Sequence, residues 1–313
     1  MTRWQTLRRS LRAGGLGLAA LLSACGGGRP TPAGFTVVAE FYPMYVETLN
    51  VVGDTPGVRV VNLVPTATGC PEDYQLRPGD LQTLSEANLF VFNGAGLEGY
   101  LDKVAAQCSR LRMVEASAGI PVLKIDGEIN PHIWVSPALA ARQTRTIAAA
   151  LAAADPAHTG SYMKNGEAYA AKLDALATRL HDELAAAPIH QVVAFHDSMP
   201  YLARDLGLTI LAVMEPAPGQ NPSPRDLADV VASVRAAHGP VALLSEIDAA
   251  NPAAAIISRD LNQPLYQLDT VTGGPLEPAQ AQDAYLRAME RNLAVLRAAL
   301  GLDKNSEKSS VNL

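Results

Sequence analysis

The chain lacks the patterns that mark common hydrolases. Neither H-E-x-x-H nor G-x-S-x-G occurs in its 313 residues. A metallohydrolase would need an open coordination position beside a general base, so it remains only an alternative enzyme reading. Basic charge is scarce too: 25 Lys and Arg stand against 31 Asp and Glu. Four of those arginines (Arg3, Arg8, Arg9 and Arg12) lie in the first 24 residues, and without them the balance moves from −6 to −10. That sign excludes a typical nucleic-acid partner, whereas an acidic surface raises the local concentration of cations. Beyond the first 24 residues, no apolar run reaches the roughly 20 residues that span a bilayer. Cysteine is limited to Cys25, Cys70 and Cys108. Cys70 and Cys108 are too far apart for the close spacing of a thiolate metal site.

What the N-terminus does contain is a secretory pattern. The four arginines precede a short apolar core at residues 13–22, closed by Leu22-Ser23-Ala24-Cys25. Residues 1–24 resemble a bacterial lipoprotein signal. The resemblance implies cleavage before Cys25, acylation of its thiol, and an extracytoplasmic protein of the cell envelope anchored by lipid. Residues 25–34, rich in Gly and Pro, read as a flexible tether. In an exported protein the remaining pair, Cys70 and Cys108, favours a disulfide, the alternative being two unrelated buried thiols.

With 48% hydrophobic and 18% charged residues, the remainder can pack one or two domains. Short apolar runs alternate with helical stretches. Strands are expected at 35–39, 59–64, 89–92 and 112–115, with helices at 42–52, 78–86 and 97–107. A helix opens after Ser136-Pro137, an N-cap and first-turn pair, and runs over residues 138–154. Over 166–187, Tyr169, Leu173, Leu176, Leu180 and Leu184 recur at helical spacing on one face. The alternation then restarts, with strands at 192–195, 209–213, 241–245 and 265–268 and a last helix at 278–300. The expected fold class is therefore α/β: two lobes of parallel sheet flanked by helices, joined by one long rigid helix. The first lobe would take residues 35–165, the linking helix 166–187 and the second lobe 188–301. Residues 302–313 would form a polar, disordered tail.

In parallel sheets functional groups gather past the carboxyl ends of strands. Glu72 follows the second strand, His196 the first strand of the second lobe, and Asp269 its last strand. His132 lies in Asn130-Pro131-His132-Ile133-Trp134-Val135-Ser136-Pro137, where two prolines stiffen the turn around it. Two imidazoles and two carboxylates suit one divalent cation by number and ligand type. Tyr74 and Trp134 would wall the cleft, and Glu246 could face it. His158, His181, His190 and His238 sit in helical or helix-end segments and suit solvated or core-edge roles.

Phe41-Tyr42-Pro43, Asn93-Gly94-Ala95-Gly96-Leu97-Glu98, Asn130-Pro131-His132-Ile133-Trp134 and Phe195-His196-Asp197-Ser198 resemble the zinc/manganese solute-binding proteins of bacterial ABC importers, the ZnuA/TroA-like group. The likeness runs in order from about residue 35 to 300. It implies one metal in a cleft between two lobes, delivery to an ABC permease, and no catalysis. His132 and His196 match the family's second and third ligand positions and Asp269 its fourth. The chain departs at the first position: Pro71-Glu72-Asp73-Tyr74 stands where the family carries Pro-His-Asp-Tyr. Either Glu72 ligates through oxygen or water completes a three-ligand site. The histidine-rich loop of many zinc-specific members is absent, which removes one argument for zinc over manganese; zinc is still expected on intrinsic affinity, with manganese as the alternative. A rival from another class is a dinucleotide-binding oxidoreductase. Gly94, Gly96 and Gly99 fit G-x-G-x-x-G after an expected strand, with Glu115 placed for a ribose.

Overall fold

Each half of the chain winds the same four-stranded parallel sheet. In the first half β1 (Phe35–Ala39), β2 (Val58–Asn62), β3 (Leu89–Phe92) and β4 (Arg112–Glu115) lie in the order β2-β1-β3-β4. In the second, β7 (Gln191–Ala194), β8 (Thr209–Val213), β9 (Val241–Glu246) and β10 (Leu265–Leu268) lie in the order β10-β9-β7-β8. Read by chain position, both are second-first-third-fourth, and every pairing within them is parallel. The computed structural model describes residues 34–68, 71–72, 74–125, 127–214, 222–247 and 252–303. The leader, Cys25, nearly all of the tether, Cys70 and residues 304–313 lie outside these.

Strands buried on both faces need near-continuous apolar sequence. Val37, Val38, Ala39, Phe90, Val91, Val192, Val193 and Leu243 meet that need, all fully buried. Helices cover the faces: α1 (Tyr42–Val52), α2 (Pro78–Ser85), α3 (Leu101–Gln107) and α4 (Pro137–Ala154) in the first half. α6 (Pro200–Asp205), α7 (Pro224–Ala236), α8 (Pro252–Leu261), α9 (Pro278–Ala281) and α10 (Ala284–Ala299) belong to the second. Among them, α4 opens as expected: Ser136 Oγ accepts the Leu139 N–H at 3.2 Å, and Pro137 takes the first helical position.

The long helix is α5, Thr159–Leu184. It starts earlier than the expected residue 166 and stops before 187. Its 26 residues rise roughly 39 Å at 1.5 Å each. Its first turns carry Gly160, Asn165 and Gly166, poor helix formers that hid the start. Gly166 is there for contact: a Cβ at that position would lie 2.5 Å from the Ala148 Cβ of α4. Three more boundaries shift. β2 gives way after Asn62, whose side chain turns to bond Val64 O. The helix expected from residue 97 begins at Leu101, because Gly94, Ala95 and Gly96 all take positive φ. The final helix is broken between α9 and α10. A short antiparallel hairpin, β5 (Lys124–Ile125) with β6 (Glu128–Ile129), was not expected. Two-residue strands carry too little pattern to be legible.

The halves are stitched by aromatic side chains. Tyr42 Oη donates to Pro275 O at 3.0 Å and Tyr45 Oη to Leu276 O at 2.6 Å. Trp134 Nε1 donates to Thr270 O at 3.0 Å, and Tyr285 Oη donates back to Trp134 O at 2.6 Å. Tyr201 Oη donates to Asn130 O at 2.8 Å. Three of these five bonds involve residues 130–134, so the turn carrying His132 is one place where the two halves meet.

Gly-to-Ala in a helix interior ordinarily stabilises by about 1 kcal/mol. Gly166→Ala should instead destabilise, because the new methyl must push α4 away from α5, and Ala148→Gly in the same chain should restore much of the loss. Urea unfolding of the parent and both variants checks this; a stabilised Gly166→Ala protein would contradict it.

Candidate metal centre

His132 is built in from its backbone outward. Its N–H donates to Asn130 Oδ1 at 3.0 Å, closing a side-chain turn of the kind asparagine favours. Asn130 Nδ2 donates across to Asp197 O at 2.6 Å, and Asn93 Nδ2 holds Pro131 O at 2.9 Å. The ring is almost wholly buried, 5.1 Å from the Trp134 ring, with Trp134 itself edge-on to Phe41 at 4.7 Å. Trp134 is buried and walls this space, as expected, whereas Tyr74 is buried with its ring edge-on to Tyr100 and its hydroxyl on Asp80 Oδ2. In the second half, His196 stands two residues past β7, at the reversal of strand order between β7 and β9, where ligands bind in wound sheets. Ser198 N–H donates to His196 Nδ1 at 3.2 Å.

Three of the four expected ligands converge. One ligand atom from each of Glu72, His132 and His196 lies within 4.8 Å of the others. His132 Nε2 is 3.1 Å from Glu72 Oε1, and the two imidazole rings are perpendicular with centroids 5.1 Å apart. Two further carboxylates complete the cluster. Asp197 Oδ1 lies 3.5 Å from His132 Nδ1 and 3.4 Å from His196 Nδ1. Glu246 Oε1, at the end of β9, lies 3.6 Å from His196 Nδ1 and accepts the Ser198 hydroxyl. His132 thus has Glu72 Oε1 at one ring nitrogen and Asp197 Oδ1 3.5 Å from the other. Glu246 was legible as a residue facing the cleft. Asp197 was missed, although its adjacency to His196 at a strand end was the available signal.

The fourth expected ligand, Asp269, does not join this group. Its Oδ1 accepts the Val271 N–H at 2.8 Å and its Oδ2 pairs with Arg291 at 2.7 Å. The sequence offered no sign of that competitor, which reaches over from α10. Val271 in the same loop is buried at φ 62°, an uncommon conformation for a β-branched residue. Of the other histidines, His158 pairs with Asp155 and His181 with Asp182, while His190 and His238 are exposed. Cys108 is buried, with its Sγ 3.9 Å from Leu81 O and no disulfide partner among the described residues; Cys70, the partner expected for it, lies outside them.

The glycine loop is occupied by the protein's own acids. Gly94 N–H donates to Glu98 Oε1 at 2.8 Å and Ala95 N–H to Glu115 Oε1 at 3.2 Å. The amides that would cradle a pyrophosphate are therefore taken, and Glu115 is used as their acceptor. The dinucleotide alternative is not supported.

Electrostatically the cluster wants a cation. Burial alone pushes the His132 pKa down, but the hydrogen bond to Glu72 and the charges of Asp197, Glu72 and Glu246 outweigh it and hold the pKa above its ordinary value. Burial also raises Asp197, with Glu72 and Glu246 adding to the rise against the two imidazoles. Because the folded pKa of His132 exceeds the unfolded one near 6.5, its contribution to the metal-free fold is complete below about pH 6.5 and is lost as pH rises through the folded value. NMR titration of the metal-free protein should therefore place the His132 midpoint above 6.5. Glu72→Gln should lower that midpoint, since burial then meets less opposition. A midpoint unmoved by Glu72→Gln would contradict this coupling.

The chain matches the family described as zinc-uptake complex component A, periplasmic, over residues 37–299. It is similar to the high-affinity zinc uptake system protein ZnuA of Bacillus subtilis, 27% identical over 281 residues that cover 84% of this chain and 87% of that protein. It is also similar to the iron-binding protein YfeA of Yersinia pestis, 30% identical over 233 residues, 72% of this chain and 74% of that one. Among solved structures, the solute-binding protein FpvC of P. aeruginosa with Ni2+ superposes with a TM-score of 0.76 at 29% identity, covering 90% of this chain and 99% of the other. No helix among the described residues is long and apolar enough to cross a membrane.

Proposed function

The chain belongs to the zinc-uptake complex component A family, and on that premise we propose that it captures one divalent cation, zinc in preference to manganese, between its two halves and hands it to an ABC permease. The observation that carries this reading is the convergence of Glu72 and His132 from the first half on His196 from the second. The relatives named for zinc and iron, and the neighbour solved with nickel, support a divalent cargo without fixing the ion. In this reading the halves act as two lobes, residues 35–165 and 188–301, with the long helix between them, and the protein performs no chemistry on its cargo.

Glu72, His132 and His196 would bind directly. Asp269 is the fourth ligand once it exchanges Arg291 for the ion. Arg291 is 58% exposed, and ion pairs of that kind contribute only about 0–1 kcal/mol, a small barrier to the exchange. Two imidazoles with two carboxylates neutralise a 2+ ion, whereas three imidazoles with one carboxylate leave a charge that is costly to bury. Glu72 in place of histidine is also the harder ligand and eases manganese binding, although intrinsic affinity still rises toward zinc. Oxidation of Cys108 to Cys70, two residues before Glu72, would tie the Glu72 loop to the end of α3.

Competition against a zinc chelator tests the site. His132→Ala and His196→Ala should each weaken zinc binding by more than Glu72→Ala does, because water replaces a carboxylate oxygen more readily than an imidazole. Affinity should fall on acidification as protons compete for the imidazoles. With His132 held above its ordinary value, the fall should begin above pH 6.5. Parent-like affinity in both histidine variants would remove the functional reading.

The anchor is a separate part of the proposal. Mature protein should begin at an acylated Cys25 and fractionate with membranes, several acyl chains being needed for stable attachment. A Cys25→Ala variant that partitions like the parent would contradict it.

A further inference from the structure

At the strand-order reversal of the first half, between β1 and β3, the protein places a second acidic pair where the other half places ligands. Glu40 follows β1 and is fully buried; Glu98, in the glycine loop after β3, is nearly so. The two carboxyl groups accept from consecutive backbone amides, Asn93 N–H and Gly94 N–H, which sets them side by side, and among the described residues no cation pairs with either. Glu40 is surrounded by donors: Oε2 accepts the Asn93 N–H at 3.0 Å and Oε1 accepts the Tyr100 hydroxyl at 2.8 Å. Glu98 differs. Its Oε1 accepts the Gly94 N–H at 2.8 Å, while its Oε2 is buried and meets no donor. Two ionised carboxylates cannot share a dry site without a counter-ion, so one of them holds a proton. The oxygen with no donor is the one that can carry it.

From this pair, two short paths lead to the metal ligands. Asn93, held by Glu40, donates Nδ2 to Pro131 O at 2.9 Å, next to His132, and its Oδ1 accepts Gln143 Nε2 at 2.9 Å from α4. Tyr100, also held by Glu40, meets the Tyr74 ring edge-on at 6.4 Å, two residues from Glu72. One buried acid therefore braces both ligand-bearing loops of the first half.

We propose that Glu98 keeps its carboxyl proton, directs that O–H as a hydrogen-bond donor to an ionised Glu40, and through that pair positions the loops carrying Glu72 and His132. This rests on the reading that those two residues bind metal. The direction of Glu98's acidity agrees: burial first, then the charge of Glu40, raises its pKa to about 11. Neither acid touches the ion; both are positioning residues.

The first arm of the test uses metal-free protein, so its outcome is independent of zinc binding. At about pH 8, above every ordinary carboxylate pKa, the infrared difference between parent and Glu98→Gln should show a protonated carboxyl band that the parent has and the variant lacks. Glu47, which burial also pushes well upward, is common to both proteins and cancels. The second arm is zinc competition. Glu98→Gln keeps an acceptor for Gly94 and gains N–H donors for Glu40, so its affinity should stay within about twofold of the parent. Glu40→Gln turns an amide N–H toward donors and should weaken zinc binding about tenfold or more, in the range seen when groups behind metal ligands are removed. Should Glu40→Gln fail to fold, Glu98→Ala, which deletes the proton donor, carries this arm with a loss in the same direction. No carboxyl band in the difference spectrum, or equal losses in Glu98→Gln and Glu40→Gln, overturns the proposal. Failure of the parent itself to bind zinc overturns the functional reading instead.

Discussion

His132 is a buried imidazole that carboxylates approach from both halves of the protein, and the rest of the structure arranges itself around that fact. Glu72 reaches one ring nitrogen and Asp197 the other, while Glu246 stands behind His196. Negative charge gathered in a poorly solvated space has to be balanced by a proton or a metal ion. Without metal, the raised pKa of His132 supplies part of that balance as a bound proton. On the proposed reading a divalent ion would supply more of it and would compete with the proton for the same nitrogen.

The fold makes this arrangement possible by repetition. Both halves wind their strands in one order, so each presents a crevice at the carboxyl ends of its first and third strands. The second half fills its crevice with His196 and Glu246. The first fills its own with Glu40 and Asn93, which are fully buried, and sends its ligands in from adjoining loops. The turn at residues 130–134 reaches the second half through Asn130, Trp134 and the Tyr201 and Tyr285 hydroxyls. The turn that carries His132 is therefore bonded directly to the second half.

Much of this was legible in the sequence because it depends on local chemistry. Apolar runs bounded by Pro and Gly located all eight strands of the two large sheets, and Ser136-Pro137 located the start of α4. Strand-end positions singled out Glu72, His196 and Asp269, and the proline-stiffened turn singled out His132; of these four, Asp269 is the one held elsewhere. What escaped depended on partners distant in the chain. Arg291 holds Asp269 from 22 residues away, and a single-sequence pattern contains no such contact. The start of α5 was hidden because Gly166 is a poor helix former retained for its fit against Ala148. The glycine loop also fits a nucleotide cradle in sequence, because nothing in the pattern shows that Glu98 and Glu115 occupy its amides. Buried acids look like surface acids in a sequence, which is why Glu40 went unnoticed.

The most direct test of the central claim is to locate the ion by anomalous diffraction from crystals of the zinc-loaded protein. The account predicts one strong peak with Glu72 oxygen and nitrogens of His132 and His196 at bonding distances of about 2.0–2.2 Å. A fully occupied zinc bound elsewhere, with Glu72, His132 and His196 still contacting only one another and their carboxylate neighbours, would contradict it.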